Sequence, residues 1–376
     1  MACASLEYRD VHEPRDTGAA KAGFLPDLQI ARFVAAFIVM WGHLQHETKA
    51  LGIATQGALI DFAPIYYPSG VDIFFVISGF IMYLLGRDRF GEPGFARTFL
   101  TRRLIRIVPL YWLFLFAMLG AITLFGGRMN NTNLDGAHIV SSFLFVPWPR
   151  IDGNVVPVLS SGWTLNYEML FYAIFATGLL FSRRQGMTIV VGALIALFAI
   201  GQIVPESWFV LRFWGKSIIL EFLLGMALAH FYLRGIRLPR WAAIALIAAG
   251  FAMLVVANDV QLVQRAGRFV GAGIAAAFIV AGFVLSARPS SGPVARGFVE
   301  AGDASYALYL SHPFTLNLLA IVWERLGIGS PALFFGSALL LCVLVSIAIY
   351  RLLERPVIAW LNARAGGRRS EAVKQF

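Results

Sequence analysis

Gly70-Val71-Asp72-Ile73-Phe74-Phe75-Val76-Ile77-Ser78-Gly79-Phe80 forms the middle of an apolar run that extends from 65 to 86. As a helix, such a run reaches roughly 33 Å at about 1.5 Å per residue, enough to cross the hydrocarbon core of a bilayer. Ser78-Gly79 sits near its centre, where small residues let helices approach closely. Asp72 is the anomaly. Packing explains the Ser-Gly pair but not a carboxylate at lipid depth, where ionisable groups are costly and mark function.

Nine further runs of bilayer length lie at 28–45, 104–126, 162–181, 187–204, 214–232, 240–257, 269–287, 303–323 and 331–352. The 376-residue chain is 59% hydrophobic and only 14% charged, with a mean hydropathy of +0.72. Soluble domains are nearer one-quarter charged, and a water-soluble particle of this make-up would expose large apolar patches. The expected fold is therefore all-α: a polytopic membrane helix bundle of about ten transmembrane helices. Cys3 and Cys342 lie near opposite ends and suggest neither a disulfide scaffold nor a metal site. The chain shows no fixed-period repeat, so a single membrane domain over 27–357 is expected. An N-terminal tail (1–26) without a signal-peptide pattern and a basic C-terminal tail (358–376) would flank it.

The charge gives a direction. With ten spans both termini share one side, and that side's tails and loops hold 22 of the 31 Lys and Arg residues. The opposite loops and their flanks hold eight, and Arg32 lies within the first span. The positive-inside rule places both termini in the cytoplasm, and the net charge of +10 needs no nucleic acid to explain it. The one long outer connection, 127–161, starts with Asn130, Asn131 and Asn133 and contains Pro147, Pro149 and Pro157. Connections of that length usually serve a function, and a lid or re-entrant segment over an outward-facing cavity is expected.

Several polar groups fall inside spans. Arg32 and His43 are eleven residues apart, about 20° from alignment on one helical face and roughly 16 Å apart along it. They read either as a snorkelling arginine with an interfacial histidine or as two stations on one route. Glu168 and Tyr172 are i,i+4 neighbours in Gly162-Trp163-Thr164-Leu165-Asn166-Tyr167-Glu168-Met169-Leu170-Phe171-Tyr172, with Glu168 expected at the depth of His43 and Asp72. Arg102, Arg103 and Arg106 precede Pro109-Leu110-Tyr111-Trp112 at the inner end of the third span. They serve either as topology and lipid anchors or as a phosphate site, for which planar guanidinium forks are suited. Glu221 has Lys216 about one turn away, and Ser305 and His312 share a face before Pro313, which is expected to kink the ninth span.

Taken in order, these motifs resemble those of the bacterial acyltransferase 3 family. They are the Arg32–His43 spacing, residues 70–80, the Arg102-Arg103-x-x-Arg106-x-x-Pro109 motif, residues 162–172, Ser305–Pro313 and Glu354-Arg355-Pro356. The resemblance covers about 26–357 and is closest to the branch that acetylates exopolysaccharides of the succinoglycan type. It implies a multi-pass O-acyltransferase of the bacterial cytoplasmic (inner) membrane. Such an enzyme moves an acyl group, usually acetyl, from cytoplasmic acyl-CoA to a sugar hydroxyl of an exopolysaccharide or other cell-surface glycan, with no metal. It makes His43 the essential histidine, Arg32 its companion on the donor route, and Arg102, Arg103 and Arg106 the basic motif. Glu168 matches the family without an assigned chemical role.

The expected mechanism has neutral His43 as general base on the acceptor hydroxyl, with Asp72 or Glu168 orienting its ring. Trp163, Asn166, Tyr172 and Tyr309 are the candidates for substrate contacts, the acceptor being a glycan or lipid-linked oligosaccharide. The competing class is a transporter or flippase for a polysaccharide precursor, where buried Arg, His, Asp and Glu are common. Against it, the chain has no repeated halves and no matched broken helices.

Overall fold

The computed structural model describes residues 25–50, 52–53, 57–125 and 135–365. Most of the two tails, Cys3 and the asparagine-rich start of the outer connection lie outside the described residues. A helix stands at each of the ten apolar runs. In chain order the principal elements are α1 (Pro26–Ala50), α2 (Ser69–Gly86), α3 (Phe95–Phe125) and a short α4 (Gly136–Phe143). There follow α5 (Trp163–Leu179), α6 (Arg183–Ile203), α7 (Glu221–Leu233), α8 (Arg240–Asp259) and α9 (Ile274–Val284). The chain then continues through α10 (Pro293–Asp303), α11 (Ser305–Leu326) and α12 (Pro331–Ile349) to α13 (Arg355–Arg364). A π-helical turn, Tyr350–Glu354, joins the last two. No β-strand occurs among the described residues.

Six of the helical stretches are long and apolar enough to cross a membrane: Pro26–Ala50, Ser69–Gly86, Phe95–Leu124, Arg183–Ile203, Arg240–Asp259 and Pro331–Arg364. Ser217–Leu233 and Phe269–Val284 are apolar but shorter. The two remaining runs are α5, with 17 residues including Asn166 and Glu168, and α11, which carries Ser305, Ser311, His312 and Asn317. Their polarity has a common cause, because both contribute to the site described below.

Burial sorts the helices into a centre and a shell. Of the apolar window of α2, 83% is buried, against 22% for α3, α6 and α8, so α2 is the hub. The shell helices turn Phe116, Ile203 and Leu340 outward, which suits hydrocarbon and not water.

Helix α2 packs most intimately on α7. A Cβ on Gly79 would lie 2.1 Å from the Phe222 carbonyl oxygen, and one on Gly225 would lie 1.9 Å from that of Val76. The two backbones therefore touch, and only glycine permits the crossing. Phe222 extends the contact by stacking between Phe75 (4.8 Å) and Phe171 (4.1 Å), which ties α5 to the pair.

One boundary differs from the sequence expectation. Helix α3 begins at Phe95, nine residues before the apolar run at 104, because Arg97, Arg102 and Arg103 are good helix formers although they are polar. Helix α11 runs unbroken through Pro313 from Ser305 to Leu326.

The described part of the 127–161 connection is ordered by hydrogen bonds. Asp135 caps α4 by accepting from the Ala137 amide at 3.3 Å. Tyr111 and Trp112 of α3 donate to the carbonyls of Ser142 and Phe143, both at 3.1 Å. Further along, Arg150 pairs with Asp152 and holds its carboxyl well below the usual carboxylate range. The connection then descends through Ser160–Gly162 into α5.

Candidate active site

A cavity of about 100 Å³ opens at the hub, lined from five helices. Helix α1 contributes Arg32, α2 contributes Ser78, α3 contributes Arg103 and Arg106, α5 contributes Glu168 and Tyr172, and α11 contributes Tyr306 and Tyr309. Three guanidinium groups and one carboxylate thus share a space otherwise walled by Phe74, Phe75, Ile77 and other apolar side chains.

Each charged group has a distinct setting. Arg32 donates to Gln29 at 3.0 Å, one turn below it on α1. Arg106 is ion-paired with Glu354, whose side chain is only 1% exposed, and lies 5.9 Å from the Tyr306 ring. Arg103 is buried, its guanidinium 6.0 Å from the Phe99 ring, and its Nε meets no acceptor among the described residues. Arg32 and Arg103 are therefore the cavity's guanidinium groups that no carboxylate holds directly. Arg102 is half-buried and does not line the cavity. A helix cannot aim adjacent residues the same way, so the face that presents Arg103 and Arg106 turns Arg102 aside.

Glu168 accepts from the Tyr172 hydroxyl at 2.8 Å, the i+4 contact expected on α5, and from Ser78 at 3.5 Å. Ser78 is six residues past Asp72 on α2, about 9 Å along the axis. Glu168 consequently belongs with the arginines, deeper than the level of Asp72 at which the sequence expectation placed it.

Asp72 is fully buried and occupied elsewhere. Arg268 binds it through both arms, Nε to Oδ1 at 2.9 Å and Nη2 to Oδ2 at 2.7 Å. The same guanidinium lies 5.4 Å from the Trp163 ring and 5.8 Å from that of Tyr66. Buried Glu221 also faces Asp72 and Arg268, while the Lys216 ammonium lies over Phe213 at 5.4 Å. Asn166 is 1% exposed, and neither of its amide atoms is hydrogen-bonded among the described residues.

His43 is exposed in the C-terminal half of α1 and does not line the cavity. Its neighbour is a second histidine, His312, with ring centroids 5.0 Å apart. His312 lies 6.3 Å from Tyr309, and Tyr309 packs against Phe74 at 6.2 Å. The Tyr309 hydroxyl donates to the Ser161 carbonyl at 2.9 Å and meets Thr164 at 3.1 Å. A file of rings thus runs from the arginine-lined cavity through Tyr309 and His312 to His43.

Of the site residues read from sequence, Arg32, Arg103, Arg106, Glu168, Tyr172 and Tyr309 converge on the cavity. Asp72 and Trp163 gather around Arg268, and His43 stands beside His312. The pairing roles of Arg268 and Glu354 and the lining residue Tyr306 had not been singled out. Among the described residues no group of three or more His, Cys, Asp or Glu side chains forms a metal-binding cluster.

The family model described as an acyltransferase domain matches residues 25–351, nearly all of the described bundle. The chain belongs to the acyltransferase 3 family. A curated relative is 37% identical over 308 residues, covering 79% of this chain and 91% of its own length. It is the exopolysaccharide production protein ExoZ of Rhizobium meliloti (strain 1021). No solved structure matches the chain. As an acyltransferase 3 protein with several membrane-length helices, it is a multi-pass membrane acyltransferase.

Proposed function

We propose that this protein is an O-acyltransferase that moves an acyl group, acetyl in the simplest case, from cytoplasmic acyl-CoA to a sugar hydroxyl of an exopolysaccharide. The reading includes ten membrane crossings of the bacterial inner membrane with both termini in the cytoplasm, which the Lys and Arg distribution supports. The acceptor class follows the relative, whose name is that of an exopolysaccharide production protein.

One observation carries the proposal: Arg32, Arg103 and Arg106 line a single cavity whose far wall leads through Tyr309 to the histidines. Acyl-CoA is chemically divided in the same manner. Its charged phosphates suit guanidinium forks, and its long pantetheine arm is uncharged and suits an apolar passage. With the head held at the inner end, the thioester approaches the level of His43. Neutral His43 then accepts the proton of the acceptor hydroxyl as that oxygen attacks the acyl carbon. Glu168 sits among the arginines, where its charge offsets part of theirs and its bond to Tyr172 fixes that ring at the cavity wall.

The test is the O-acetyl content of surface polysaccharide, measured by NMR in cells lacking the protein and complemented with wild type or His43→Ala. Wild type should restore acetylation, and the variant, inserted at equal level, should not. Full acetylation by His43→Ala would remove the base assignment. Unchanged polysaccharide in the deletion strain would remove the acceptor.

A further inference from the structure

The catalytic reading leaves a buried histidine unused. His312 is 1% exposed on α11, and its Nδ1 lies 2.9 Å from the Leu308 carbonyl oxygen. A carbonyl only accepts, so Nδ1 carries the ring proton. The following residue reinforces this choice. Pro313 has no N–H, which leaves the Tyr309 carbonyl without its usual helical donor, and the His312 ring faces that carbonyl as well. In a neutral imidazole with Nδ1 protonated, Nε2 is a bare acceptor. Here Nε2 is buried and meets no donor among the described residues. The side chain closest in kind and position is His43, its ring centroid 5.0 Å away at an interplanar angle of 58°.

The two carboxylates that the sequence reading placed behind His43 are engaged elsewhere. Asp72 is gripped by Arg268, and Glu168 accepts from Tyr172 and Ser78. We propose that His312 is the positioning residue for His43: its Nε2 accepts the N–H of His43 and fixes the tautomer whose other nitrogen is bare. The proposal rests on the acyltransfer reading with His43 as base. A rotation of the exposed His43 ring about its own side-chain bonds completes the contact.

The chemical consequence is specific. As the acceptor oxygen bonds to the acyl carbon, its proton passes to the bare nitrogen of His43. The carbon–sulfur bond breaks with its electron pair on sulfur, and the thiolate recovers the proton from His43. Throughout, His312 holds the ring in register and shares the imidazolium's second N–H. A histidine partner sets the tautomer without adding a negative charge, unlike the carboxylate that commonly backs a catalytic imidazole.

The experiment compares His312→Ala with His312→Asn in purified, detergent-solubilised full-length protein, assayed with acetyl-CoA and the polysaccharide acceptor. The asparagine amide can donate to the Leu308 carbonyl and still offer an acceptor to His43. His312→Ala should lower kcat by roughly 10²-fold, the lower end of what a positioned base contributes, with KM for acetyl-CoA unchanged. His312→Asn should recover at least ten-fold of that loss. Nitrogen-15 NMR of histidine-labelled wild type, which needs no substitution in α11, should show one neutral tautomer for His43, and His312→Ala should show a mixture.

Wild-type turnover by His312→Ala, equal losses in the two variants, or mixed His43 tautomers in the wild type would each overturn the proposal. An inactive His43→Ala beside fully active His312 variants would sink this inference alone. An active His43→Ala would sink the reading beneath it.

Discussion

Arg268 on the approach to α9 grips Asp72 of α2 with two parallel hydrogen bonds across 196 residues of chain. The carboxylate is fully buried and the guanidinium side chain 18% exposed, with buried Glu221 facing both. Removing one member of a buried pair strands the other, at a cost of about 3–5 kcal/mol. Arg268→Ala is therefore expected to unfold at markedly lower temperature in mild detergent, as followed by thermal-shift size-exclusion. Glu221→Gln, which removes a charge and strands none, should shift the midpoint far less. Equal midpoints for Arg268→Ala and wild type would refute the structural weight given to this pair.

The α2–α7 crossing makes a sharper prediction. Because a Cβ on Gly225 would stand 1.9 Å from the Val76 carbonyl oxygen, Gly225→Ala must push two backbones apart. Overpacking of this kind costs about 1–3 kcal/mol, occasionally more. Gly120→Ala, where a Cβ meets nothing within 4 Å, is the control and should behave as wild type in the same thermal assay.

The arginines are expected to separate by face. Arg103→Glu should raise KM for acetyl-CoA at least ten-fold with a smaller effect on kcat, the signature of lost uniform binding. Arg102→Glu, outside the cavity, should raise it much less. Steady-state kinetics with varied acetyl-CoA decide the point, and a larger effect at Arg102 would mean that phosphates bind on the outer face of α3.

In the 127–161 connection, the lowered Asp152 carboxyl makes a pH prediction. A carboxyl whose folded value is lowered stabilises above its unfolded value, and that contribution is lost as pH falls through the folded one. The 150–154 turn should thus stay closed through the ordinary carboxylate range near pH 4 and open only in stronger acid. Limited digestion with an acid-active protease should cut wild type there only at the lowest pH. Asp152→Asn should be cut at every pH tested, and identical cutting of the two would refute the role of the Arg150 pair.

The helices were legible because a lipid-length apolar run is a local property, visible at 331–352 or 240–257 without knowing any neighbour. Their ends were less so, as α3 shows: the arginines that mark the membrane surface do not stop a helix. Within the site, Arg32, Arg103, Arg106 and Glu168 stood out as charges in apolar surroundings, and they do converge. Partnerships were not legible. Nothing in the sequence near Asp72 points to Arg268, nor near Arg106 to Glu354, 248 residues away, because pairing between helices is decided by packing. The same limit applies to His43, for which carboxylates were the expected neighbours and the ring that meets it is His312.

Where Gly79 and Gly225 bring α2 and α7 into backbone contact, no layer of side chains separates the two helices, and they pack as one unit. It carries Phe74 and Ser78 on one side of the cavity. Helix α11 also lines the cavity through Tyr309, and Pro313 one turn on gives up a helical hydrogen bond. Turnover is accordingly expected to respond to substitution at Pro313, which stands one turn from the Tyr309 ring on the same helix.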